Sequence, residues 1–122
     1  MALQISIRVS GDVSILDLLG KLTMNGGESE VLSKRLLDLD VTGKRKLLLN
    51  LKNLSVIDSS GVGIVVQMYI SLKRGGGELK LLAQGRVLDV LKVFRLQNVI
   101  PSFEDETDAL SSFQSRGYST TP

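Results

Sequence analysis

A mixed α/β fold is what this sequence predicts: a mostly parallel sheet, an antiparallel hairpin at its N-terminal edge, and about four helices. Three observations carry that expectation. Ile5, Ile7 and Val9 alternate with polar residues and are followed at once by a Gly11-Asp12 turn and a second extended run, the pattern of a hairpin. Short apolar runs then alternate with segments of helical period, which implies parallel strands joined by right-handed crossovers. Finally, 122 residues with 43% hydrophobic and 23% charged side chains are enough for one core-forming domain.

Taken in order, the second strand is Val13 to Leu19. Asn25-Gly26-Gly27 interrupts it, and Glu28 to Leu39 reads as a helix, with Leu32, Leu36 and Leu39 on one face. Glu28 and Glu30 suit the positive end of its dipole. Lys46 to Leu51 is an almost continuous apolar run, as a central strand covered on both faces requires. A second helix is expected from Ser60 to Arg74, with Val62, Val65, Val66 and Tyr69 facing inward, stopped by Gly75-Gly76-Gly77 at a left-handed C-cap. Glu78 to Leu82 is the next strand. Arg86 to Leu96 is the third helix, with Val87, Val90, Leu91 and Phe94 inward. Val99-Ile100 is a last short strand, and Glu104 to Phe113 a final helix with an acidic start. The expected domain is 1–113, and the polar segment 114–122 reads as a disordered tail.

Composition removes several functions. The chain has no histidine and no cysteine, so Ser–His–Asp triads, Cys–His pairs and the common zinc sites cannot be built. No catalytic residue, metal or cofactor is expected. With 15 basic and 13 acidic residues scattered along the chain and 4% aromatics, neither a phosphate-tracking stripe nor a base-stacking platform is present, and nucleic acid is not an expected partner. No apolar run reaches the ~18 residues of a membrane span. A cytoplasmic protein is the expectation.

The segment between the central strand and the second helix holds the candidate site. In Ile57-Asp58-Ser59-Ser60-Gly61, Asp58 and Ser59 are both suited to cap a helix N-terminus. Gly61 and Gly63 leave its first turn open to another backbone or to a phosphate, and the helix dipole favours negative charge there. Capping needs one residue; three polar residues and two glycines stand here, although each helical glycine costs about 0.8–1 kcal/mol relative to Ala. Rival motifs fail. Gly61-Val62-Gly63 opens a dinucleotide fingerprint whose third glycine is replaced by Val66, and Gly75-Gly76-Gly77-Glu78 lacks the Lys-Ser or Lys-Thr of a P-loop. Asp105 and Glu106 read as acids placed by a helix dipole.

The run Leu47 to Leu51, followed by Leu54-Ser55-Val56-Ile57-Asp58-Ser59-Ser60-Gly61-Val62-Gly63, resembles the signature of bacterial anti-sigma-factor antagonists, which are STAS domains. Leu18-Leu19-Gly20-Lys21-Leu22, Gly76-Gly77-Glu78-Leu79 and the segment Val87 to Ile100 are similar to the same family, so the likeness spans about residues 5–113. It implies a STAS-like fold and a non-catalytic partner switch. The unphosphorylated protein would bind an anti-sigma factor that is also a serine kinase, releasing sigma factor. Phosphorylation, at the position matched here by Ser60, would reverse that binding, and a PP2C-type phosphatase would restore it. Asp58, Ser59 and Gly61 match the loop around the phosphoacceptor; Thr23, Met24, Asn25, Val62 and Gly63 fall on the implied partner surface. One departure is Thr23, where many relatives carry an acid. The alternative within the same fold is a non-switching subunit of a stressosome-type or lipid-transport ATPase assembly.

Overall fold

A computed structural model describes residues 3–23, 32, 34–35 and 46–118. Strands β1 (Gln4–Ser10) and β2 (Val13–Leu22) form the expected antiparallel hairpin around Gly11-Asp12, with Ile7 opposite Leu16. β2 is longer than its apolar alternation predicts, and it pairs with two later strands in succession. Its first half, Val13 to Asp17, lies parallel to β3 (Lys46–Asn50); its end, Gly20 to Leu22, lies parallel to β4 (Leu54–Ile57). β3 pairs in parallel with β5 (Glu78–Leu82), and β5 with β6 (Ser102–Phe103). The sheet therefore runs β1-β2-β3-β5-β6, with β4 set beside the end of β2.

Three helices have defined bounds: α1 (Ser59–Arg74), α2 (Gly85–Val93) and α3 (Glu106–Tyr118). Leu32, Lys34 and Arg35 are also helical, and Leu32 is fully buried; the remainder of the helix expected over Glu28 to Leu39 lies outside the described residues, as do residues 119–122.

The central strand explains the two-layered core. Leu47 and Leu49 point to one face, where they join Leu16, Leu18, Leu79 and Leu81 beneath Val65, Met68 and Leu72 of α1 and Val87 and Leu91 of α2. Leu48 points to the other, with Val13, Ile15 and Leu82 beneath Ala109 and Phe113 of α3. Successive side chains of a strand alternate between faces, so a strand covered on both must be apolar throughout. That is the Lys46 to Leu51 run.

Five expectations change. Leu54 to Ile57, a connection in the sequence reading, is strand β4. The last strand is Ser102–Phe103 rather than Val99-Ile100: the amides of Val99 and Ile100 both donate to Leu96 O at 2.9 Å, closing a 3₁₀ turn over Leu96–Asn98, and pairing resumes only at Pro101, whose carbonyl accepts from Leu81 N. The inward stripe of α1 is rotated. Val62, Ile64, Val65, Met68 and Leu72 are buried, whereas Val66 and Tyr69 pack only partly. α2 ends at Val93, Arg95 takes a left-handed conformation (φ 56°), and Phe94 is turned out, 48% exposed. α3 begins at Glu106, two residues later than expected, and runs past Phe113.

Candidate functional site

The switch segment is built where two strand ends meet a helix start. β4 carries the chain along the end of β2, with Leu22 beside Ile57, and delivers it to α1. Asp58 is the N-cap. Its backbone is extended, and its carboxylate Oδ1 accepts the amide of Gly61 at 3.0 Å. That satisfies one of the amides a helix N-terminus leaves without an intrahelical partner. Asp58 N donates to Leu22 O (3.3 Å), and Val62 N returns to Asp58 O (2.9 Å). The main-chain bond from Asp58 to Leu22 thus ties the helix start to β2, while the cap closes the first turn itself.

The two glycines do different work. Gly61 is buried, and a Cβ there would overlap the carbonyl oxygen of Leu22 and press on Ile57 Cγ1 at 2.8 Å. Its missing side chain is what lets α1 sit against β2. A Cβ at Gly63 would meet no other part of the protein within 4 Å, and the residue is exposed, so it leaves an open patch on the outer side of the helix start. Of the two approaches expected at these glycines, Gly61 admits another backbone, that of Leu22, and only Gly63 leaves room for an incoming group. Val62, placed beside it on the implied partner surface, is instead a core residue, 5% exposed.

Ser59 is exposed and Ser60 half-buried, both within the first turn of α1. No acidic residue lies in that turn, while Lys73 and Arg74 occupy the last one, so the dipole is complemented at its C-terminal end and left open to an anion at the N-terminal end. Thr23 directly follows Leu22, which brings it to the same end of the sheet as Asp58. Met24 and Asn25 lie outside the described residues. The periodicity of the sequence missed Leu22 as a part of this site. Its carbonyl holds Asp58 and abuts Gly61, and the pattern Gly20-Lys21-Leu22 carries no local sign of a contact made more than thirty residues later.

Among the described residues no group of three His, Cys, Asp or Glu side chains is arranged to hold a metal ion, and no helix is long and apolar enough to cross a membrane. The arrangement can present two hydroxyls in a positive helix-end field next to an open patch.

That fold and that loop define a class. The STAS domain family matches residues 4–109, and the chain belongs to it. A relative from Paenibacillus polymyxa, an anti-sigma F factor antagonist, is 31% identical over 72 residues; the aligned part is 56% of this chain, and it spans 59% of that relative's length. Among solved structures, an anti-sigma factor antagonist from Mycobacterium paratuberculosis superposes with a TM-score of 0.81 at 18% identity, covering 91% of this chain and 93% of that one. The antagonist SpoIIAA in its unphosphorylated form gives 0.70 at 24% identity over 93% and 98% of the two chains. The phosphorylated form of SpoIIAA from Bacillus gives 0.67 at 23% over 92% and 99%. At these identities the structural likeness establishes the shared fold.

Proposed function

We propose that this protein is an anti-sigma-factor antagonist that works by partner switching, with Ser60 as the phosphoacceptor. In its unphosphorylated form it binds an anti-sigma factor that is also a serine kinase. Phosphate on Ser60 reverses the binding, and a PP2C-type phosphatase resets the protein, which itself performs no catalysis. The observation that carries this reading is the Asp58-capped, acid-free first turn of α1, with Ser59 and Ser60 beside the open patch at Gly63. The antagonist relative and the two phosphorylation states of SpoIIAA support it.

The physical argument is one of contrast between the two states. A phosphoryl group adds roughly −1.5 to −2 charges. At a helix N-terminus that charge meets unpaired amides and the dipole, so the domain tolerates it. At a contact shaped for a neutral hydroxyl the same charge must be desolvated or repelled, and ~1.4 kcal/mol already lowers affinity tenfold. One modification keeps the fold and abolishes the contact.

Incubation with its kinase and ATP is expected to add one phosphate, located at Ser60 by fragment mass spectrometry and absent from Ser60→Ala. Because Ser59 is the more exposed of the pair, labelling at Ser59, or labelling that survives Ser60→Ala, overturns the assignment. In a pull-down from native cells, Ser60→Ala is expected to retain the kinase and Ser60→Asp to lose it.

A further inference from the structure

β1 is the edge strand of the sheet. It pairs with β2 along all seven of its residues without a register shift, and among the described residues no strand lies on its other side. The hairpin turn fixes which of its groups face outward. Gly11-Asp12 is a two-residue loop closed by Ser10 opposite Val13, with Gly11 at φ 61° and Asp12 outside the positive-φ region, a type II′ turn. Ser10 and Val13 are therefore a hydrogen-bonded pair, and in an antiparallel ladder such pairs alternate with pairs that exchange no bond. Ser10, Arg8, Ser6 and Gln4 thus turn both main-chain groups toward β2, and Val9, Ile7 and Ile5 turn theirs to the open edge. Protected edges carry a proline, a bulge or a free charge. β1 has no proline, and its one charged side chain, Arg8, is held by Asp17 and Glu106 of its own chain. Ile7 is 39% and Val9 59% exposed.

We propose that a second copy of this chain adds to that edge, β1 against β1 and antiparallel, about a two-fold axis at Ile7. Few registers are open to a strand that pairs with itself, and three features select this one. It pairs the whole strand, from Gln4 opposite Ser10 to Ser10 opposite Gln4. It sets outward-turned residues against one another, Ile5 against Val9 and Ile7 against Ile7, and their side chains share one face of the strand, so apolar meets apolar. It also sets Arg8 opposite Ser6. A slip of one residue sets outward groups against inward ones. A slip of two either brings Arg8 opposite Arg8, a destabilising like-charge pair, or leaves Val9 without a strand partner. The same patch serves both copies, as a two-fold interface requires, and the two sheets become one. A contact confined to one strand edge falls below the ~1,200 Å² of a stable complex, so the dimer forms reversibly, with concentration. The inference does not rest on the modification of Ser60.

Analytical ultracentrifugation of the full chain, from micromolar to millimolar concentration, is expected to show the mass rise from 13.2 kDa toward twice that value. Over the same range, hydrogen exchange followed by amide NMR is expected to slow at Ile5, Ile7 and Val9, while Ser6, Arg8 and Ser10 are protected at every concentration. Ile7 faces itself across the axis. Ile7→Lys and Ile7→Glu are therefore each expected to associate at least roughly tenfold more weakly than the parent, and an equimolar mixture of the two to regain the dimer. Ile7 lies outside the buried core, so both variants keep the fold, which the parent's pattern of core amide shifts checks. Ser60→Asp is expected to associate as the parent does, which separates this inference from the phospho-switch. A chain that stays monomeric at millimolar concentration, a dimer that leaves Ile5, Ile7 and Val9 exchanging freely, or a mixture of the charge variants that does not associate would overturn it.

Discussion

Gly61 and Gly63 stand two residues apart in the first turn of the same helix, and their surroundings give them opposite expected responses to a methyl group. At Gly61 a Cβ meets Leu22 O, Leu22 Cγ and Ile57 Cγ1, all of them main-chain or buried core atoms with little room to move. Gly61→Ala is expected to cost about 1–3 kcal/mol, the usual penalty of overpacking, and to loosen the tie between α1 and β2 that positions Ser60. Gly63 faces open space, and Ala is the better helix former, so Gly63→Ala is expected to stabilise the fold by up to about 1 kcal/mol. Urea unfolding of the two variants checks both signs. If the patch beside Gly63 is partner surface, as proposed, the same variant is more stable yet binds its partner less well, the trade-off expected of a functional site. Equal destabilisation by both substitutions would show that the first turn needs glycine for a reason other than contact with β2.

At the scale of the element, three consecutive glycines end α1, and one of them carries the turn. Gly77 N donates to Leu72 O at 2.7 Å and Gly76 N to Lys73 O at 3.1 Å, while Gly76 sits at φ +83° and Gly75 at −87°. This is the paired 6→1 and 5→2 bonding of a Schellman cap with its left-handed residue at Gly76. Gly76→Ala is therefore expected to cost about 1–2 kcal/mol, and Gly75→Ala to be close to neutral; thermal unfolding of the pair measures the difference. The sequence announced the cap as a glycine run but could not say which residue takes it, since each of the three permits the conformation. The same limit marks the rest of the fold. Strands β3 and β5 were legible because their apolar pattern reports burial directly; β1 was legible from its alternation although Ile7 and Val9 lie exposed, and α1 from its period although its buried stripe is rotated. β4 was not, because its four residues owe their extended shape to pairing with the end of β2, and β6 was displaced because a 3₁₀ turn takes up the amides of the apolar pair Val99-Ile100. At the site, the serines and the capping aspartate were legible as types in order. The closeness of Leu22 to Gly61, which decides what the glycines are for, is a long-range fact that no local pattern encodes.

The whole molecule is closed by a charged tie between its two ends. Arg8 on β1 reaches Asp17 on β2 through two hydrogen bonds and Glu106 at the start of α3 through two more, at 2.5–2.9 Å and 2.8–3.1 Å. Asn50 Nδ2 adds a bond to Asp17 Oδ1 (2.7 Å), so β1, β2, β3 and α3 share one network. It matters because the core under α3 is small: Val13, Ile15, Leu48 and Leu82 against Ala109 and Phe113. A second tie, from Lys80 Nζ to Ser112 Oγ at 2.7 Å, lies farther along the helix. The hydrogen bonds from Arg8 hold the Asp17 carboxyl below its ordinary range, helped by Asn50 and opposed by partial burial, and the Arg8 guanidinium is raised in turn. A carboxyl whose folded pKa lies below its unfolded value of about 3.9 contributes stability that is fully present above about pH 5 and is lost as pH falls through the folded value. Arg8 stays charged throughout, so the dependence belongs to the acids. With Arg8 46% exposed, solvent screening keeps each pair near the ~0.5–1 kcal/mol of a surface bridge with good geometry. Asp17→Asn is expected to be less stable than the parent at pH 7, and the gap between the two is expected to narrow as pH is lowered from 5 toward 2, when the parent's own carboxylate becomes neutral. Urea midpoints of both proteins across that range decide it. A gap that stays constant with pH would mean that Asp17 acts through the shape of its hydrogen bonds to Arg8 and Asn50 rather than through its charge.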